Sequence, residues 1–144
     1  MSASDLARIG LFGDLTVSEL ELLASAGEEQ ALGPGEVLCL EGSEGDGAIL
    51  LLEGALDCSR EGLGELPRIE APAALGLASL ARSGNREAKL VAAAETRVLL
   101  LTREGFHRFT QDAPNAAVRV LEGIVRELAT TLRGTAAALL PQRG

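Results

Sequence analysis

Tryptophan and tyrosine are absent from this chain of 144 residues, and phenylalanine occurs only three times. With a hydrophobic fraction of 47%, the core must be built from aliphatic side chains. The same scarcity argues against binding single-stranded nucleic acid, which stacks its bases on aromatic rings. Positive charge is also short. Thirteen basic against 21 acidic residues leave a net charge of −8, which repels a phosphate backbone, and no basic patch offsets it. Direct DNA or RNA contact is therefore not expected.

Long apolar runs are missing too. The longest, "AILLL" at 48–52, is strand length, far short of the ~18 residues that span a bilayer, so no membrane insertion is expected. The opening "MSASDLARIG" lacks the charged start and apolar core of a secretion signal, and the expected location is cytoplasmic. Cysteine is limited to Cys39 and Cys58, both inside apolar strand-like runs. They read as buried, reduced thiols, and no histidine or cysteine is spaced to complete a zinc site with them.

What is present sorts into three textures. Residues 4–27 read as two short helices with a break. Thr16 and Glu19 form a capping box, Leu15 and Leu20 its hydrophobic staple, and Gly27 the stop. Residues 28–102 read as short strands separated by Gly and Pro turns at roughly 8–12-residue intervals, the mark of an antiparallel roll or sandwich. Residues 103–133 return to helix. Thr102 can cap its first part and Asp112 the segment at Ala113-Pro114. Leu121, Ile124, Val125, Leu128 and Leu132 recur at helical intervals as a packing stripe. The fold class is α+β, an antiparallel, jelly-roll-like β-roll flanked by N-terminal helices and a longer C-terminal helix. It occupies residues 1–133, with 134–144 as a tail that frays or resumes the helix after a break at Gly134.

Candidate catalytic groups fare poorly. His107, the single histidine, has no evident nucleophile or orienting carboxylate and reads as a helix-surface residue. Glu41, Glu44, Asp46 and Glu53 do not keep calcium-loop spacing, and Ser79 lacks a nucleophile elbow. No catalytic residue, metal ligand or cofactor is assigned, and an enzyme is not expected.

The order of elements, with "LGPGEVLCLEGSEGDGAILLLEGAL" and "LTREGF" in place, resembles the cyclic nucleotide-binding domain family across about residues 5–133. That family includes the sensor domains of bacterial catabolite-activator-type regulators, kinase regulatory subunits and gated channels. The resemblance implies that "ALGLASLARSGNREA", residues 74–88, is a phosphate-binding cassette. Gly76 matches its glycine, Arg86 its arginine, and Leu77, Ala78 and Ser79 the residues whose N–H groups face the phosphate. An arginine fork suits two phosphate oxygens, and a helix start attracts anions.

Three positions depart from the pattern. Leu77 stands where the family usually has a glutamate that takes the ribose 2′-hydroxyl, and an aliphatic chain cannot accept that bond. Asn85 replaces a proline. Glu87 follows the arginine, and either faces the pocket as a like charge or is turned outward by strand alternation, with Lys89 on its own face. Leu63 and Leu75 are apolar neighbours able to fill a base site.

The expectation is a non-enzymatic, bacterial-type regulatory or adaptor protein that has lost cAMP and cGMP binding. It acts through another, unidentified protein, with the 114–133 helix as interacting element or homodimer contact, since beyond residue 134 there is no room for an output domain. Two alternatives stay open: a true second-messenger receptor that switches a partner through this helix, and a pocket adapted to another phosphorylated or cyclic-dinucleotide ligand.

Overall fold

A computed structural model describes residues 2–80 and 84–139. Helix α1 (Ser2–Ala7), a 3-10 turn at Gly10–Phe12 and helix α2 (Val17–Ala26) open the chain. The capping box at α2 forms as the spacing requires: the Glu19 N–H donates to Thr16 Oγ1 at 3.2 Å, and the Thr16 N–H to Glu19 Oε1 at 2.9 Å. Leu15 and Leu20 are buried in one cluster, and the Gly27 N–H closes the helix on Ala24 O.

The roll consists of β1 (Glu28–Leu32), β2 (Val37–Cys39), β3 (Glu44–Gly45), β4 (Ala48–Glu53), β5 (Ala55–Arg60), β6 (Gly64–Glu70), β7 (Ala73–Leu75), β8 (Gly84–Asn85), β9 (Lys89–Ala92) and β10 (Thr96–Leu101). They pair antiparallel as two four-stranded sheets, β1-β10-β4-β7 and β2-β9-β5-β6, with β3-β8 as a separate ribbon.

The run "AILLL" is apolar at every position because β4 is covered on both faces, where a half-exposed strand would alternate. Leu50 and Leu52 join Leu99 and Leu101 of β10 in a cluster under the helices. Ile49 and Leu51 face the other way, joining Val98, Leu56 and Leu90 between the sheets. Two cores thus share one sheet. Arg97 pins its edge, bonding Asp5 at 2.7 Å and Glu29 at 2.8 Å, with Glu53 at 3.4 Å.

Helix α3 (Arg103–Asp112) starts on Thr102, whose hydroxyl accepts from the Gly105 N–H at 2.9 Å. Asp112 does not cap the following helix. It is the last residue of α3, and α4 (Pro114–Leu139) begins one residue beyond Ala113. Proline at the first helical position has no N–H to satisfy. Nor does α4 break at Gly134. A helix-interior glycine costs only about 1 kcal/mol relative to alanine, and this one is followed by strong helix formers.

The expected packing stripe on α4 is rotated. Of its members only Ile124 is buried, together with Ala116, Ala117 and Val120, whereas Leu121, Val125 and Leu128 are exposed; the Leu132 side chain lies outside the described residues. Apolar residues occupy two faces of this helix, and the closer approach decides between them. Ala116, Ala117 and Gly123 make one face shallow, and a methyl at Gly123 would lie 2.6 Å from Leu11 Cδ1. The small side therefore packs inward. Arg119 fixes that orientation by bonding Glu19 Oε2 and Asp14 O, both at 2.7 Å. The Thr16 N–H bond holds the Glu19 carboxyl below its ordinary pKa against the upward push of desolvation, with the Arg119 charge and hydrogen bond assisting.

Candidate ligand cleft

After β7 the chain makes a 3-10 turn at Leu77–Leu80, and Arg86 follows β8 on the way to β9. The Arg86 backbone is clamped to the loop before β3: its N–H donates to Ser43 O at 2.7 Å, and its carbonyl accepts from the Gly42 N–H at 2.8 Å. The side chain then lies against backbone. A methyl at Gly76 would sit 2.6 Å from Arg86 Nη1, and one at Gly45 2.8 Å from Arg86 Nε. Among the described residues no carboxylate stands within ion-pair distance of this guanidinium. Gly76 and Arg86, ten residues apart in sequence, are thus in contact, with the cation unneutralised.

They border a cleft of about 380 Å³. One side is polar and comes from two segments, Ser79 of the turn and Asn85 to Glu87. The other is the open end of the inter-sheet core: Ile49, Leu90, Ile69 and Leu75, with the thiols of Cys39 and Cys58. Leu128 of α4 reaches the rim.

The cassette residues separate in role. Leu77 is 8% exposed and belongs to the helix-side core with Leu50, Leu80 and Phe106, while also edging the cleft. The Ser79 N–H does not point at the cleft as a free donor, because it bonds Gly76 O at 3.0 Å. The Ala78 side chain lies outside the described residues. A four-residue turn sums few peptide dipoles, so the cationic character of the cleft rests on Arg86.

Glu87 lies between β8 and β9, off any strand, so alternation does not set its direction; it is exposed on the rim. Of the two leucines noted as base-site neighbours, Leu75 lines the cleft, and Leu63 is 63% exposed elsewhere. The contributions of Gly45, Ile49, Ile69 and Leu90 carry no local signal, since they come together only through strand pairing.

Both cysteines are free and half-buried, not fully buried. Each is paired in register with Leu90, from opposite sides of β9. At about 4.8 Å per strand step their Cα atoms stand about 9–10 Å apart, beyond disulfide reach of about 7 Å. Burial pushes both thiols above their ordinary pKa, with Arg86 opposing at Cys39 and Arg60 at Cys58.

His107 is exposed on α3, near Gln111. Asp46 accepts from the Arg103 N–H at the start of α3, at 3.4 Å. Among the described residues no group of three metal-ligating side chains converges, and no helix is long and apolar enough to cross a membrane.

Solved structures share this architecture. The N-terminal domain of a transcriptional regulator from Streptomyces coelicolor A3(2) is 26% identical, with a TM-score of 0.79 over 88% of this chain and 94% of that one. The catabolite activator protein of Thermus thermophilus is also 26% identical, with a TM-score of 0.78 over 90% of this chain, which spans 61% of that protein. A cyclic nucleotide-binding-like protein from Brucella abortus is 29% identical, with a TM-score of 0.66 over 76% of this chain and 97% of that one. The family model for the cyclic nucleotide-binding domain matches residues 29–113, from the first strand of the roll to the end of α3. That match covers the strands, the Gly76 turn and Arg86, and with it the chain belongs to the cyclic nucleotide-binding domain family.

Proposed function

We propose that this chain is a non-enzymatic, cytoplasmic regulatory domain that has lost the usual recognition of cAMP and cGMP and acts by protein contact through α4. The exposed face of that helix carries the reading. Val118, Leu121, Val125 and Leu128 are 43–64% exposed and follow one another at spacings of three, four and three residues. That is the a/d seam of a coiled coil, and the occupant it fits is the same helix of a second copy. Loss of nucleotide recognition is supported by Leu77, an aliphatic side chain built into the core where the ribose would need an acceptor. Leu128 lies on both the seam and the cleft rim, so pairing and cleft are joined through one side chain.

The test is light scattering of the wild type and Val125→Glu, with and without cAMP, alongside denaturation in saturating cAMP or cGMP. Expected are a wild-type dimer, a folded monomer for Val125→Glu, and no stabilisation by either nucleotide. A monomeric wild type would refute the pairing. A receptor held at about 100 times its dissociation constant would gain about 2.7 kcal/mol. Such a gain would establish the second reading, a second-messenger receptor, which the unneutralised Arg86 favours.

A further inference from the structure

The two sides of the cleft differ in chemistry, and the difference names a ligand. Among the described residues its one formal cation is Arg86, held by backbone with no carboxylate within ion-pair distance, while Glu87 is exposed on the rim. Facing it, the strand positions Ile49, Ile69, Leu75 and Leu90 offer neither donor nor acceptor side chains, and the thiols of Cys39 and Cys58 beside them are only weak ones. Purine recognition by the wall would need such groups, because a buried ring nitrogen or amine left unpaired costs about 1–3 kcal/mol. Size points the same way: about 380 Å³ lies near the lower end of ligand pockets, ~300–1,000 Å³, and suits a small ligand. We propose that the cleft binds a small anionic amphiphile, a single phosphate or carboxylate head on Arg86 with an aliphatic body against the inter-sheet core. This rests on the reading that nucleotide recognition has been lost.

The probes are octyl phosphate, octanoate, inorganic phosphate and cAMP, titrated by calorimetry below micelle-forming concentrations against the wild type, Arg86→Gln, Arg86→Lys and Ile69→Asn. Octyl phosphate or octanoate is expected to bind one per chain, at least tenfold more tightly than inorganic phosphate. The tighter of the two identifies the head. Arg86→Gln should weaken that binding at least tenfold, Arg86→Lys less, and Ile69→Asn should reduce the advantage over inorganic phosphate, with each variant's fold checked by circular dichroism. Equal affinity for octyl and inorganic phosphate, or octyl binding unchanged in folded Arg86→Gln, would overturn the assignment. No binding by any probe would overturn it too, while leaving the loss of nucleotide recognition intact. Tighter binding of cAMP than of either octyl probe would overturn both.

Discussion

Gly47→Ala is expected to destabilise the protein by about 3 kcal/mol or more, lowering Tm by on the order of 10 °C. Two costs add at this position. Gly47 has φ of +98°, a backbone conformation side chains rarely adopt, and its added methyl would lie 2.0 Å from Leu101 O and 2.6 Å from Thr102 Cα. Both atoms are backbone, so no rotamer can give way. The end of β10 and the start of α3 would have to move away from β4, opening the shared sheet at the point where both cores meet it. Gly35→Ala is the control. Its φ of +87° is similar, but nothing lies within 4 Å of an added methyl. It should cost only the backbone strain, about 1 kcal/mol. Urea denaturation of both variants decides the matter, and equal losses would show that the contact at Leu101 contributes nothing.

Leu77→Glu is expected to make the cleft distinguish cAMP from 2′-deoxy-cAMP. Any residual wild-type affinity should be the same for both, because Leu77 accepts no hydrogen bond. A carboxylate there can accept from the ribose 2′-hydroxyl, and hydrogen bonds to charged groups contribute about 1.5–3 kcal/mol. The preference for cAMP should therefore rise by about tenfold or more. Leu77 is 8% exposed and packed with Leu50 and Phe106, so the unliganded variant should lose about 2 kcal/mol of stability. Competition calorimetry with the two nucleotides reads the first effect, and thermal denaturation the second. A folded variant with no preference would show that position 77 does not meet the sugar, and the proposed loss of recognition would need another cause.

Much of the fold is legible along the chain because its signals are local. The Thr16 to Glu19 box, the stop at Gly27, the Thr102 cap and the apolar run of β4 each depend on neighbours within a few residues or on one strand's own composition. The pairing of Gly76 with Arg86 was legible only through the family's spacing, since nothing in either residue's surroundings announces the other. Asp112 failed as a cap because it closes α3 and Ala113 takes the N-cap position of α4, and Gly134 failed as a break because one glycine costs a long helix little.

Tertiary structure alone decided three things. The inward face of α4 followed from the depth of its two apolar sides, and small residues at 116, 117 and 123 let the backbone approach Leu11 while the larger ones remained outside. The fate of position 77 followed from core packing, which drew the leucine under the helices and left the cleft without a carboxylate at that position. The wall of the cleft followed from strand pairing, which set residues from β4, β6, β7 and β9 opposite a cation none of them adjoins in sequence. Composition and local periodicity determine which elements form. How deeply each side chain is buried, and what it meets there, depends on contacts among distant segments, and those exist only once the two sheets and the helices have packed.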